Sequence, residues 1–176
     1  MVDTLARHVT RIVLSALLSL YVALNKKLVK EKCVALFNPT REEVRRFFCD
    51  TWKKKTDGHI LDPMETLASD WMVDHPEYHG LLTDPESALA QDYTAERGET
   101  NPFLHLSMHL SISEQISINQ PSGIKEIADK LSQKLGSMHQ AQHAIMECLG
   151  QVMWEAQREN QALNPEKYLE ALKKLI

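Results

Sequence analysis

The sequence predicts an all-α fold, a single-domain helical bundle of about five main helices with short connecting helices between them. Apolar residues recur at helical spacing, and Asn-Pro or Asp-Pro dipeptides that begin helices are repeated along the chain. No segment has convincing β alternation, since residues 107–118 alternate only in part. The 176 residues, 43% of them hydrophobic and 25% charged, are enough for a globular core.

Five predicted helix starts share one sequence pattern, an Asn-Pro or Asp-Pro dipeptide. Asn or Asp accepts hydrogen bonds from the first backbone N–H groups of a helix, and proline fits the first helical position because its missing N–H is not needed there. Glu65 adds a capping box to the second start, and Ser137 with Gln140 repeats the pattern after the stop signal Gly136. The five dipeptides are Asn38-Pro39, Asp62-Pro63, Asp84-Pro85, Asn101-Pro102 and Asn164-Pro165.

Apolar stripes at helical spacing follow these starts. Val44, Phe47 and Phe48 form one stripe, and Ile124 and Ile127 belong to another. The polar residues between the fourth and fifth segments, 93–100, indicate a connection. We therefore predict helices near residues 40–55, 63–74, 76–82, 85–91, 102–119, 123–135, 138–160 and 165–175.

Residues 12–24 form an uncharged apolar segment, with Arg7 and Arg11 before it and four lysines after it. A transmembrane helix needs about 20 apolar residues, so we expect no stable membrane span. No signal-peptide cleavage site follows Leu24. Three interpretations are open: a helix packed on the core, a weak association with a membrane surface, or a stretch outside the functional domain.

The charge is unevenly distributed along the chain. Residues 1–35 hold six basic and two acidic residues, a net charge of +4, whereas residues 36–176 hold 14 and 22, a net charge of −8. An acidic body makes nucleic acid a poor partner, because phosphate binding needs a basic surface. Cys33, Cys49 and Cys148 form neither a C-x-x-C motif nor a disulfide framework, which predicts reduced thiols in the cytoplasm.

Histidines provide the one informative chemical pattern. Six of the eight form three H-x-x-x-H pairs, whereas random placement would give about 0.4 pairs. Spacing of four puts both rings on one helix face, where neighbouring imidazoles can reach the same metal ion. The pairs are His75 with His79, His105 with His109, and His139 with His143, and Glu147 continues the third pair at the same spacing.

The predicted bundle brings two of the pairs to one level. Helices 102–119 and 138–160 are separated by a single helix, so they run parallel if neighbouring helices are antiparallel. Each pair lies in the first two turns of its helix, where the helix dipole disfavours imidazolium and favours the neutral, metal-binding form. The sequence therefore predicts a site for a divalent transition metal, iron, zinc, manganese or copper. Its expected ligands are His105, His109, His139, His143 and Glu147, with His75 and His79 as second-rank ligands.

A metal-free interpretation stays open beside this one. His75 precedes Pro76 and could cap the short helix that follows, His79 could lie at the surface, and the other pairs could form a buried hydrogen-bond network. The chain would then be a structural module or a module that binds a protein partner or a second copy of itself. Whether the protein is an enzyme is undecided, since it has no Walker loop, G-x-G-x-x-G, G-x-S-x-G or catalytic triad pattern.

Four long segments resemble the DUF1841 family of uncharacterised proteobacterial helical proteins. They are FNPTREEVRRFF (37–48), HPEYHGLL (75–82), NPFLHLSMHLSISEQ (101–115) and HAIMECLGQVMWEAQR (143–158). The resemblance covers residues 36–176 and implies a bacterial cytoplasmic protein. It implies no activity, because none is established for the family.

The resemblance also changes how the N-terminus is interpreted. Members of the family typically begin with Met-Phe-Asn-Pro, and here Leu36 precedes Phe37 and Asn38. An alternative bacterial start codon encodes leucine when it is translated internally. We therefore expect a helical domain over residues 36–176 and an extension over residues 1–35 that lies outside the native domain.

Overall fold

A computed structural model describes residues 39–93 and 100–176. These residues form eight α-helices and no strand, so the predicted all-α class is confirmed. The expectations for the extension 1–35 and for most of the polar connection concern residues outside those described. None of the helices formed by the described residues combines the length and the apolar composition needed to cross a membrane.

The helices begin and end within two residues of the predicted positions. The one difference in type lies at residues 76–82, where the chain forms a 3₁₀ turn before a short α-helix. The elements are α1 (Arg41–Thr56), α2 (Pro63–Val73), the 3₁₀ turn (Pro76–Tyr78), α3 (His79–Leu82), α4 (Pro85–Ala90), α5 (Pro102–Ile118), α6 (Ile124–Leu135), α7 (Met138–Arg158) and α8 (Pro165–Lys173).

Side-chain caps begin most of these helices as predicted. Asp62 and Glu65 form a reciprocal capping box at α2, and the Ser137 hydroxyl accepts a hydrogen bond from a backbone N–H at α7. The side chains of three further cap residues, Asp84, Asn101 and Asn164, also accept backbone hydrogen bonds. The predicted cap of the first helix is wrong: Thr40 caps α1, because the Thr40 hydroxyl and the Glu43 carboxylate form a complete capping box there.

The chain divides into two compact units. Among the described residues, unit 1 comprises 39–93 and 100–110, and unit 2 comprises 111–176. Helix α5 belongs to both, since its first nine residues lie in unit 1 and the remainder in unit 2. The histidines near the start of α5 are therefore part of unit 1, whereas those of α7 are part of unit 2.

Unit 1 has an apolar core built from α1, α2, α3, α4 and the first half of α5. Phe48, Trp71 and Met72 are among its buried members, and each aromatic ring excludes a large area from water. The Arg45 guanidinium is also buried, and it contacts the carbonyl oxygens at the end of α4. The complete cluster is Phe48, Cys49, Trp52, Ala68, Trp71, Met72, Leu82, Ala88, Phe103 and Leu106.

Unit 2 packs α7 against α6 and α8. Gly136 ends α6 in a left-handed conformation with φ of +88°, which glycine adopts at little cost, and α7 begins two residues later. Ile145 and Leu149 on α7 are fully buried, as is Tyr168 on α8. These contacts hold the first turns of α7, which carry His139 and His143, on a packed helix.

Candidate metal centre

The end of α2 is capped by the histidine pair that follows it. His75 donates from Nδ1 to the carbonyl oxygen of Trp71 over 2.7 Å, because a carbonyl can only accept. His79 donates from Nε2 to the carbonyl oxygen of Met72, also over 2.7 Å. His75 is also the N-cap residue of the 3₁₀ turn that follows, but its ring bonds backward to α2 and makes no cap hydrogen bond to that turn.

Three histidine rings of unit 1 meet in one place. The Nε2 atom of His105 lies 3.1 Å from Nε2 of His75 and 3.0 Å from Nε2 of His109. The centroids of the three rings are each 4.8 Å from the other two. We call His75, His105 and His109 the histidine triad; it joins the end of α2 to the first two turns of α5.

The nitrogen separations in the triad match those of ligands on one ion. Two imidazole nitrogens at the usual zinc distance of about 2.0–2.1 Å lie about 2.9–3.4 Å apart at octahedral or tetrahedral angles. Both measured separations fall within that range. His105 therefore stands at the spacing of a metal ligand from each of the other two triad nitrogens.

Hydrogen bonding accounts less well for the same geometry. A ring nitrogen carries either one hydrogen or one lone pair, so Nε2 of His105 can form one good hydrogen bond to a ring nitrogen and not two. The bond from Nδ1 of His75 to Trp71 leaves the lone pair of its neutral ring on Nε2, which is the atom that faces His105. A cation can accept a lone pair from all three nitrogens at once.

The triad is enclosed by aromatic rings and mostly buried. The side chains of His75 and His109 are 2% and 0% exposed, and that of His105 is half-buried. Trp71 stacks on His109 with centroids 4.1 Å apart and an interplanar angle of 11°. Tyr78 lies parallel to the ring of His75 at 5.5 Å and edge-on to His105 at 5.8 Å. These rings hold the imidazoles in fixed orientations, as the shell around a metal site must.

His79 has a different environment from its pair partner. Its ring stacks on Trp52 with centroids 4.1 Å apart, and its Nε2 atom is the one that bonds to Met72. The structure therefore brings His75 into the triad but places His79 against α1 and the end of α2. The difference arises because the chain changes from a 3₁₀ turn to α3 between the two residues.

The third histidine pair lies in unit 2. The rings of His139 and His143 on α7 are 4.5 Å apart at an interplanar angle of 80°, and both are half-buried. Between them in the sequence, buried Gln142 donates from Nε2 to the hydroxyl of Ser113 over 2.8 Å. This bond joins the second turn of α7 to the C-terminal half of α5, four residues after the last triad histidine.

Glu147 points to another part of unit 2. Its side chain is exposed and lines a groove of about 450 Å³ between α7 and α8, together with Cys148 and Glu170. Four residues along an α-helix turn the side-chain direction by about 40°, so Glu147 lies about 80° around α7 from His139. The structure does not bring this carboxylate together with the histidines, and its predicted role as a ligand stays a prediction.

The comparisons with known proteins identify a family. The family described as "Domain of unknown function (DUF1841)" matches residues 40–174. The chain belongs to this family. No curated protein and no solved structure matches the chain.

Two residues of the candidate site were not expected from the sequence. The ring of Trp71 stacks on His109, and its carbonyl oxygen accepts a hydrogen bond from His75. Tyr78 carried no signal and contacts two triad rings. Trp71, His75 and His79 follow one another at a spacing of four residues. This spacing could have indicated the contact between Trp71 and His75.

Proposed function

We propose that this DUF1841 chain binds a divalent transition metal ion through its paired histidines. The observation that carries the proposal is the meeting of three Nε2 atoms, with His105 3.1 Å from His75 and 3.0 Å from His109. Histidine ligands bind metals as neutral imidazoles, and hydrogen bonds from neighbouring groups usually fix the orientation of their rings. Donors of this kind suit zinc, copper, nickel and iron better than manganese, which prefers carboxylates.

The histidines of α7, His139 and His143, are proposed as metal ligands in their own right. Their rings lie 4.5 Å apart and both are half-buried, so the two imidazoles can reach the same ion from one helix face.

The proposal is tested by titrating metal-free, untagged protein with Zn²⁺ in calorimetry. We expect one tight site per chain. The double variant His105→Ala/His109→Ala should lose it while circular dichroism still reports a helical fold. The matched control is His59→Ala, which removes an exposed histidine outside the site and should bind as the wild type does. Unchanged binding in the double variant would reject the ligand assignment.

A second candidate function is a metal-free module in which the histidines are structural. Two observations favour it: His75 and His79 already bond to the backbone carbonyls of Trp71 and Met72, which caps α2. Such a module would act through a protein partner or a second copy of the chain. The same calorimetric titration separates the two candidates, because this one predicts no metal uptake by the wild type.

A further inference from the structure

The groove between α7 and α8 is the basis for an inference about a partner of unit 2. Every described residue that lines it belongs to α7, to α8 or to the two positions after α8. We infer that the groove is the interface of a symmetric homodimer, in which it packs against the same groove of a second copy of the chain. The inference stands apart from the proposed metal binding, because no described histidine lines the groove.

The floor of the groove is apolar. Ala144, Cys148 and Val152 follow one another at a spacing of four on α7, and Ala171 and Leu175 repeat that spacing at α8. The two alanine side chains are small, and the groove has a volume of about 450 Å³. Two packed helices with an apolar row between them form half of a four-helix arrangement, which a second pair of helices completes.

The edges of the groove carry opposite charges. Glu147 and Glu155 lie on the α7 edge, whereas Lys167 and Lys174 lie on the α8 edge. Glu155 lies three residues before the end of α7, and Lys167 lies two residues after the start of α8. Glu147 lies eleven residues before that end, and Lys174 lies nine residues after that start. Because six residues connect the two packed helices, they run antiparallel, and each glutamate lies level with one lysine.

A two-fold axis along the groove makes this pattern self-complementary. Rotation about such an axis places α7 of one chain over α8 of the other and keeps every residue at its own level. Glu147 of one chain then faces Lys174 of the other, and Glu155 faces Lys167. The symmetry forms both pairs twice. This charge complementarity favours a second copy of the chain as the occupant over an unrelated helix.

The remaining charged residue of the groove also fits the arrangement. Glu170 lies on α8 between the two lysines, at about the level of Gln151 on α7. Within one chain the amide nitrogen of Gln151 donates to Glu155 over 2.7 Å. In the dimer Gln151 of the second copy lies over Glu170, so the same amide can donate to that carboxylate.

The side chains at the edges are available for contacts with a second copy. Among the described residues, Glu147 and Lys174 form no ion pair, and Lys167 approaches Glu159 only to 3.8 Å. Trp154 is 53% exposed and lies seven residues after Glu147, which places it within about 20° of the same side of α7. Interfaces are enriched in tryptophan relative to the rest of a protein surface, because its large ring is withdrawn from water there.

The test measures the self-association of the untagged full chain by analytical ultracentrifugation in EDTA, which prevents metal-bridged contacts. The variant Lys167→Glu/Lys174→Glu makes both edges acidic, and Glu147→Lys/Glu155→Lys makes both edges basic. We expect the wild type to dimerise and each variant to do so with a Kd more than about tenfold higher, because like charges then face each other. An equimolar mixture of the two charge-reversed variants should form a heterodimer of wild-type strength.

The matched control is Lys125→Glu/Lys130→Glu, which changes the net charge as much as the first variant does, at exposed positions of α6, and should dimerise as the wild type does. A wild type that stays monomeric at about 1 mM would mean that something other than a second copy covers the groove, and would overturn the inference. Dimers of unchanged strength in both charge-reversed variants, no association in their mixture, or an equal loss in the control would overturn it as well.

Discussion

Nδ1 of His75 donates a hydrogen bond to the carbonyl oxygen of Trp71 over 2.7 Å, and this bond serves two purposes. It satisfies a carbonyl at the end of α2 that has no partner further along the helix. It also assigns the lone pair of the neutral ring to Nε2, the atom that faces His105. The end of one helix thereby orients a candidate ligand, as carbonyl groups commonly do for metal-binding histidines.

The two purposes of His75 can be separated by substitution. In His75→Asn the amide nitrogen can take the place of Nδ1 and keep the bond to Trp71, but nothing replaces Nε2. We expect metal-free His75→Asn to unfold at nearly the wild-type urea midpoint. Its metal affinity should fall more than about 100-fold, since losing even an outer-shell partner costs about 10–100-fold. Competition with a chromophoric chelator measures the affinity, and a wild-type value would argue against His75 as a ligand.

The stacking of Trp71 on His109 at 4.1 Å predicts an optical signal. Cu²⁺ bound to the triad would lie within a few ångströms of the indole and should quench its fluorescence stoichiometrically. The variant Trp71→Phe should bind copper with little quenching of the remaining emission. Trp154→Phe is the matched control, because it removes a half-exposed tryptophan of unit 2 and should preserve the quenching. Equal quenching in both variants would contradict the placement of the ion.

The buried Arg45 side chain should contribute strongly to the stability of unit 1. One of its terminal nitrogens contacts the carbonyl oxygens of Ala88 and Gln91 at 2.8 Å, and its guanidinium lies 5.3 Å from the centre of the Phe103 ring. We expect Arg45→Met to lower the free energy of unfolding by about 3 kcal/mol, because buried acceptors lose a charged donor.

The neighbouring arginine offers a control for this prediction. Arg46 pairs with Glu42 at 2.7 Å on the exposed face of α1. Arg46→Met should therefore change the free energy of unfolding by less than about 1 kcal/mol. Urea titrations followed by circular dichroism compare the two variants, and equal losses would contradict the structural role assigned to Arg45.

The contacts of the Glu65 carboxylate predict that the stability of the folded chain depends on pH. The Lys54 ammonium, followed by the backbone N–H of Asp62, holds the pKa of the Glu65 carboxyl below its usual range. A depressed pKa in the folded state means that the ionised form stabilises the fold above the pKa of the unfolded chain. This contribution is lost as the pH falls through the folded-state value.

The variant Glu65→Gln isolates that contribution. It should be less stable than the wild type at pH 7, and the difference should shrink as the pH approaches 3 because the wild-type carboxyl becomes protonated. Thermal unfolding at both pH values measures the two differences. A difference that grows toward acidic pH would contradict the assigned direction.

The helices and their caps were predictable because their signals are local. Asp62 and Glu65 form a capping box within four residues, and Gly136 ends α6 through its own backbone conformation. The capping error at α1 has the same origin, since Thr40 and Glu43 compete locally with the Asn-Pro signal two residues earlier. Short-range hydrogen bonds decide such features, so a single sequence contains them.

The candidate site was predictable only in part. The spacing of four identified His105 with His109 as neighbours on one helix face. It could not show that His75 joins them from 30 residues away while His79 turns to Trp52, because both outcomes depend on the path of the chain through the 3₁₀ turn. Glu147 shows the limit of the same rule. It lies eight residues after His139, which rotates its side chain away from the helix face that carries His139, and it lines the groove of unit 2 instead.

The central claim is that this chain holds a metal ion on its histidines. The most direct test is elemental mass spectrometry of protein purified without a histidine tag and without a metal column, alongside His75→Asn and the His59→Ala control. We predict near-stoichiometric zinc, copper, nickel or iron in the wild type and in His59→Ala, and markedly less in His75→Asn. No metal in the purified wild type and no uptake after incubation with these ions would contradict the claim.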